Sequence, residues 1–89
     1  MERFIVELQV ANHCGVLNRI TGLYAKRKYN IDSLTVHETG DPALSVMRIV
    51  SRGDPSIQRQ MARQLRKLFD VKSVALLSTS GQLKLTLPK

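Results

Sequence analysis

The sequence predicts an α+β domain of the ferredoxin-like βαββαβ class, a four-stranded antiparallel sheet with two helices on one face. Three observations predict it. Two segments repeat apolar residues at helical spacing, and four runs have the alternation or apolar density of strands. These six elements follow one another in the order β-α-β-β-α-β.

The first strand is RFIVELQV, residues 3–10, with Phe4, Val6, Leu8 and Val10 on one face and Ile5, Glu7 and Gln9 on the other. A period of two marks a half-buried strand. Asn12 then stands where a helix cap would, and Gly15 opens a segment free of proline up to Lys28. Val16, Leu17, Ile20, Leu23 and Tyr24 form its apolar stripe, and Asn18, Arg19, Lys26 and Arg27 fall largely outside it. Lys26, Arg27 and Lys28 suit the negative end of the helix dipole. NIDSLTVHE, residues 30–38, reads as the second strand, with Ile31, Ser33, Thr35 and His37 on one face and Leu34 and Val36 on the other. The composition of TGDPA, residues 39–43, is that of a hairpin turn, and LSVMRIVS, residues 44–51, is the third strand. Asp54 before Pro55 reads as an N-cap followed by proline at the first helical position. Ile57, Met61, Leu65 and Leu68 mark the second helix, ending near Phe69 and Asp70, and VKSVALLS, residues 71–78, is the fourth strand. The domain is expected to span residues 1–79. Residues 80–89, with alternating Leu83, Leu85 and Leu87, form either a short extra strand or the truncated start of a second domain.

With both helices on one side, the other sheet face must be solvated, bind something or pair with another copy. Ile5 between Phe4 and Val6, and the run Ala75-Leu76-Leu77, are apolar on both sides and predict a covered second face, hence an oligomer.

Eighty-nine residues make one domain, and 43% hydrophobic with 24% charged residues is an ordinary globular composition. No apolar run approaches the roughly 20 residues of a membrane-spanning helix. MERFIVELQV carries charges inside an alternating pattern, unlike a signal peptide. The single cysteine excludes an intrachain disulfide, and the cytoplasm is the expected compartment. A net charge of +7 favours an acidic partner, whether nucleic acid, a membrane surface or another protein, or marks only a solvated basic face, and charge alone does not choose.

His13-Cys14 followed by Arg19 suggests a cysteine phosphatase, but that loop needs one residue more than the four present between Cys14 and Arg19. These residues also lie in the predicted helix, and no loop aspartate offers itself as the acid. Arg19 is read as a helix-face residue. His13, Cys14 and His37 lack the spacing of a zinc site. Gly15 and Gly22 lack the glycine-rich run and the terminal Lys-Ser/Thr of a phosphate loop. An acylphosphatase would carry an arginine in ANHCG, which has none. Nucleic acid is not expected either. Arg59, Arg63, Arg66 and Lys67 make the second helix basic, yet Phe4, Tyr24, Tyr29 and Phe69 are the only aromatics and form no base-stacking strand motif.

The positive signal is the loop between the first strand and helix. Gly15 at a helix start leaves backbone N–H groups free for an anion and lets a carboxylate approach closely. The Asn12 amide bonds an ammonium or a carboxylate, or only caps the helix, and the residues leave these readings open. Val16, Leu17 and Ile31 supply apolar walls. Such a site suits a small amino acid with a hydrophobic side chain.

The run NHCGVLNRITGLYAKRKYNIDSLTV, residues 12–36, closely resembles the opening of the acetolactate synthase (acetohydroxyacid synthase) small regulatory subunits, an ACT-domain family. DPALSVMRIVSRGD and QLRKLFDVKSVALL resemble the segments that follow, so the likeness covers roughly residues 4–78. It implies a non-catalytic subunit with no cofactor of its own. Such a subunit activates a catalytic large subunit that uses thiamine diphosphate, FAD and magnesium, and it confers feedback inhibition by valine. It further implies a side-by-side homodimer with a continuous eight-stranded sheet and valine at the interface. The effector residues carried over are Asn12 and Gly15, with Asn30 from the other chain and His13, Cys14, Val16, Leu17 and Ile31 as lining. The basic second helix is a candidate docking face for the large subunit. An alternative is a stand-alone ACT-domain sensor of another amino acid serving a different enzyme or regulator. Cys14 stands where the family has Pro or Ser, and many members continue into a second domain. Lys28 replaces the family's glycine, so the first helix is expected to end without its easy left-handed residue.

Overall fold

A strand face as apolar as Phe4, Val6, Leu8 and Val10 has to be covered, and that requirement organises the domain. A computed structural model describes residues 2–12 and 15–88. Its elements are β1 (Arg3–Ala11), α1 (Val16–Arg27), β2 (Ser33–Glu38), β3 (Leu44–Arg52), α2 (Pro55–Arg66), β4 (Val71–Leu77) and β5 (Leu83–Pro88). They build one antiparallel sheet in the order β2-β3-β1-β4-β5. The βαββαβ fold is therefore present, and the alternating leucines of the tail add a fifth strand beside β4. Its pairing is irregular between Leu76 and Leu77.

Both helices cover the face carrying Phe4, Val6 and Leu8, each 0% exposed. α1 buries Val16, Ile20 and Tyr24, and α2 buries Met61, Ala62 and Leu65. On the opposite face Ile5, Val50, Ala75 and Leu77 are only half-buried, around a Glu7–Arg48 ion pair of 2.9 Å. Asp54 caps α2 as expected, accepting from the Ile57 N–H at 2.9 Å, with Pro55 in the first turn. Gly53 is required just before it, since a Cβ there would lie 2.6 Å from Ile57 Cγ2. Burial pushes the Tyr24 phenol up to about 12, and its ring meets Tyr29 edge-on at 5.8 Å. No helix among the described residues is long and apolar enough to cross a membrane.

Three departures from expectation go beyond a one-residue shift of a strand end. β2 starts at Ser33 because Asn30 and Asp32 form their own local turn, the Asn30 amide donating to Asp32 Oδ1. Arg52 donates to both oxygens of Asp32, at 2.8 and 3.0 Å, and Arg3 approaches at 3.2 Å. The hydrogen bond from Arg52 holds the Asp32 carboxyl below the usual carboxylate range. α2 stops at Arg66, where the Lys67 and Leu68 N–H groups turn to the carbonyls of Gln64 and Leu65.

The third concerns the end of α1. Lys28 does adopt the left-handed conformation, φ 58° and ψ 32°, and the Tyr29 N–H donates to the Tyr24 carbonyl at 2.9 Å. The closing turn is kept although lysine bears a steric cost that glycine does not. Lys28→Gly is expected to raise stability by about 0.5–1 kcal/mol, the relief exceeding the added freedom of the unfolded chain. Thermal melting would register a few degrees' increase, and a fall would contradict the strain.

Candidate functional site

At the end of β1 the chain turns from a buried strand into α1, and Gly15 makes the turn. It occupies the N-cap position at φ 90° and ψ −12°, with no side chain capping the helix. Among the described residues the first-turn N–H groups have no side-chain acceptor, the arrangement that attracts an anion. Asn12 is not the cap. Its N–H donates to the Ala43 carbonyl at 2.9 Å and its Nδ2 to the Pro42 carbonyl at 3.2 Å, fixing it to the β2–β3 turn. Among the described residues nothing donates to its Oδ1.

Beside this turn lies an open groove of about 310 Å³. Val10, Val16, Leu17, Val36 and Met47 give it apolar walls, and Asn12 and Ser45 are its polar members. Leu17 and Val36 keep 45% and 49% of their surface exposed, so the rim is apolar and uncovered. Larger hollows, of about 510 and 450 Å³, lie against α2, but they contain none of the predicted effector residues.

Of those residues, Asn12, Val16 and Leu17 line the groove and Gly15 forms the adjoining turn. His13 and Cys14 lie outside the described residues. Asn30 and Ile31 are not in the groove of their own chain. β1 and β2 each pair antiparallel with β3, so they run the same way, and residues 30–31 sit near Arg3 at the far end of β1. A strand of nine residues separates the two ends, about 25–30 Å.

Val36, Ser45 and Met47 are lining residues that the sequence did not single out. Val36 pairs with Met47, and Ser45 with Val10. Strand alternation was the available signal for their face, but it does not tell how far the helices extend over it.

Arg19 is more than a helix-face residue. Its Nε donates to Asp70 Oδ2 at 2.6 Å, while the Asp70 backbone carbonyl accepts from Ala11 at 2.8 Å. The Asp70 side chain is 6% exposed. One buried residue, in the turn between α2 and β4, thereby holds both the strand and the helix that flank the groove. The Arg19 guanidinium also passes Gly15, with Nη1 3.4 Å from where a Cβ would stand. Asp70→Ala is expected to cost about 1.5 kcal/mol, the low end for a charged hydrogen bond because Arg19 is half-exposed. Urea unfolding checks this, and an unchanged midpoint would remove the clamp.

The groove offers an anion-binding helix end, an amide oxygen and apolar walls. Among the described residues no group of three His, Cys, Asp or Glu side chains is placed to hold a metal. Such a set of groups suits a small zwitterion with a hydrophobic side chain.

Comparison with known proteins bears on the family and the fold. The model of the AHAS small subunit-like ACT domain family matches residues 6–73. The chain is 45% identical over 73 residues to the acetolactate synthase isozyme 3 small subunit of Escherichia coli (strain K12), covering 82% of this chain and 45% of that protein. It is 44% identical over 72 residues to the acetolactate synthase small subunit of Bacillus subtilis (strain 168), covering 79% and 41%. The crystal structure of the acetolactate synthase small subunit from Thermotoga maritima superposes with a TM-score of 0.82 at 33% identity, covering 89% of this chain and 49% of that one. The chain spans about half the length of these relatives.

Proposed function

The chain belongs to the AHAS small subunit-like ACT domain family, and on that premise we propose that it is a regulatory, non-catalytic subunit of acetolactate synthase. It activates the catalytic large subunit and mediates feedback inhibition by valine. Thiamine diphosphate, FAD and magnesium belong to that partner, and the reading carries a cytoplasmic location. The observation that carries it is the apolar groove opening at the uncapped N-terminus of α1. Valine's carboxylate meets the N–H groups at Gly15 beside Arg19, its ammonium meets Asn12 Oδ1, and its isopropyl group rests on Val16, Leu17, Val36 and Met47.

A homodimer belongs to the same reading. β2 has an unpaired outer edge, and antiparallel pairing of two β2 strands about a two-fold axis aligns the start of one with the end of the other. The partner subunit's Asn30 and the partner subunit's Ile31 then approach the groove that their own chain cannot reach. Valine bound across two chains alters the catalytic subunit only if it binds one dimer state better than another.

The test mixes the chain with the catalytic subunit and measures acetolactate formation with and without valine, alongside melting with a panel of amino acids. Activation by the chain and its reversal by valine are expected. No shift with valine, and a shift with an unrelated amino acid, would instead indicate a stand-alone sensor.

A further inference from the structure

α2 turns Gln58, Met61, Ala62 and Leu65 inward. From Arg59 through the cap its exposed positions are Arg59, Gln60, Arg63, Arg66 and Lys67, with Gln64 half-buried, and no residue from 55 to 67 is acidic. Arg59 and Arg63, Arg63 and Lys67, and Arg63 and Arg66 are like charges at i,i+4 or i,i+3 spacing, which destabilises a helix. Elsewhere four of the five arginines have a carboxylate partner among the described residues, Arg27 being the exception. Arg3 and Arg52 pair with Asp32, Arg19 with Asp70 and Arg48 with Glu7. The cations of α2 have no such partner among the described residues.

This face is also concave. Gln60, Arg63, Gln64, Arg66 and Lys67 surround a hollow of about 510 Å³ whose apolar member is Leu87 of β5. Guanidinium and amide donors around an apolar floor suit carboxylates carried on a protein surface. No aromatic side chain lines the hollow, so it lacks the platform on which single-stranded nucleic acid stacks. It borders β5 at one edge of the sheet, whereas the valine groove and the free edge of β2 lie at the other. Both surfaces can be occupied together.

We propose that the outer face of α2, with its hollow against β5, is where an acidic patch of the catalytic subunit docks. This rests on the reading of the chain as an acetolactate synthase subunit, and it accounts for a helix that keeps mutually repelling charges. The test uses the full chain carrying Arg59→Gln, Arg63→Gln and Arg66→Gln together, titrated into the catalytic subunit at several salt concentrations. Affinity is expected to fall about tenfold or more, and the salt dependence to flatten. The melting temperature should hold or rise because repulsion is relieved, and the valine-induced melting shift should remain. Replacing the same three residues by Lys should restore most of the affinity. Triple-Gln binding equal to the parent, with the same salt dependence, would overturn the proposal, as would triple-Gln loss of RNA binding with subunit binding unchanged. If the parent chain does not bind the catalytic subunit at all, the subunit reading itself fails. That result is distinct from failure of this face alone.

Discussion

Gly15→Asp is expected to lower valine affinity by about a hundredfold or more while the protein still folds. Two effects add. Gly15 stands at φ 90°, a conformation side chains rarely adopt, so any substitution strains the turn. The new carboxylate then lies beside the Arg19 guanidinium, 3.4 Å from where the Cβ stands. It competes with Asp70 for that arginine and places negative charge where the proposed effector's carboxylate would sit. A hundredfold loss corresponds to about 2.7 kcal/mol, within reach of strain plus like-charge repulsion. An acidic residue at a helix N-terminus is electrostatically favourable, so the fold should survive. Gly15→Ala carries the strain without the charge and should lose a smaller factor. Calorimetric titration of both variants separates the contributions. Unchanged valine affinity in Gly15→Asp would detach the effector site from the start of α1.

Leu8→Ala is expected to cost about 3–4 kcal/mol. Leu8 is 0% exposed in the central strand, facing Met47 on β3 and Val74 on β4. Its removal leaves a cavity flanked by strands on both sides, which have little freedom to collapse. In a domain of this size each kcal/mol moves the midpoint by about 4–8 °C, so melting should fall by at least about 12 °C. A loss below about 1 kcal/mol would mean the core is looser than its burial implies.

These effects were unequally visible in the sequence. Leu8 declares itself through the alternation of β1, and Asp54-Pro55 marks the start of α2, because both signals lie within a few residues. The start of β2 does not, since Ile31 continues an alternation that Asp32 interrupts through Arg52, far along the chain. Asn12 has a residue type that caps helices, yet its amide goes to Pro42 across the fold. Lys28 takes a glycine's conformation because the Tyr29-to-Tyr24 closing bond demands it. Gly15, Val16 and Leu17 could be placed at the groove from local pattern. Val36, Ser45 and Met47 could not, because which strand residues remain uncovered depends on where the helices end. The Arg19–Asp70 clamp joins residues 51 positions apart, beyond any local pattern.

The two margins of the sheet differ in what they can accept. β2 runs as six residues without proline or lysine, and its ladder with β3 is unbroken. β5 carries a register fault, Lys84 engaged with Glu2 and Gln58, and Pro88, which lacks an N–H to donate. Breaks, lysines and prolines are the features that make a strand refuse a neighbour. Edge-to-edge growth can thus begin at one margin but finds no continuation at the other. In the proposed dimer a sheet joined through β2 would end at two β5 margins, where a sheet with two welcoming margins would go on adding copies into a fibre.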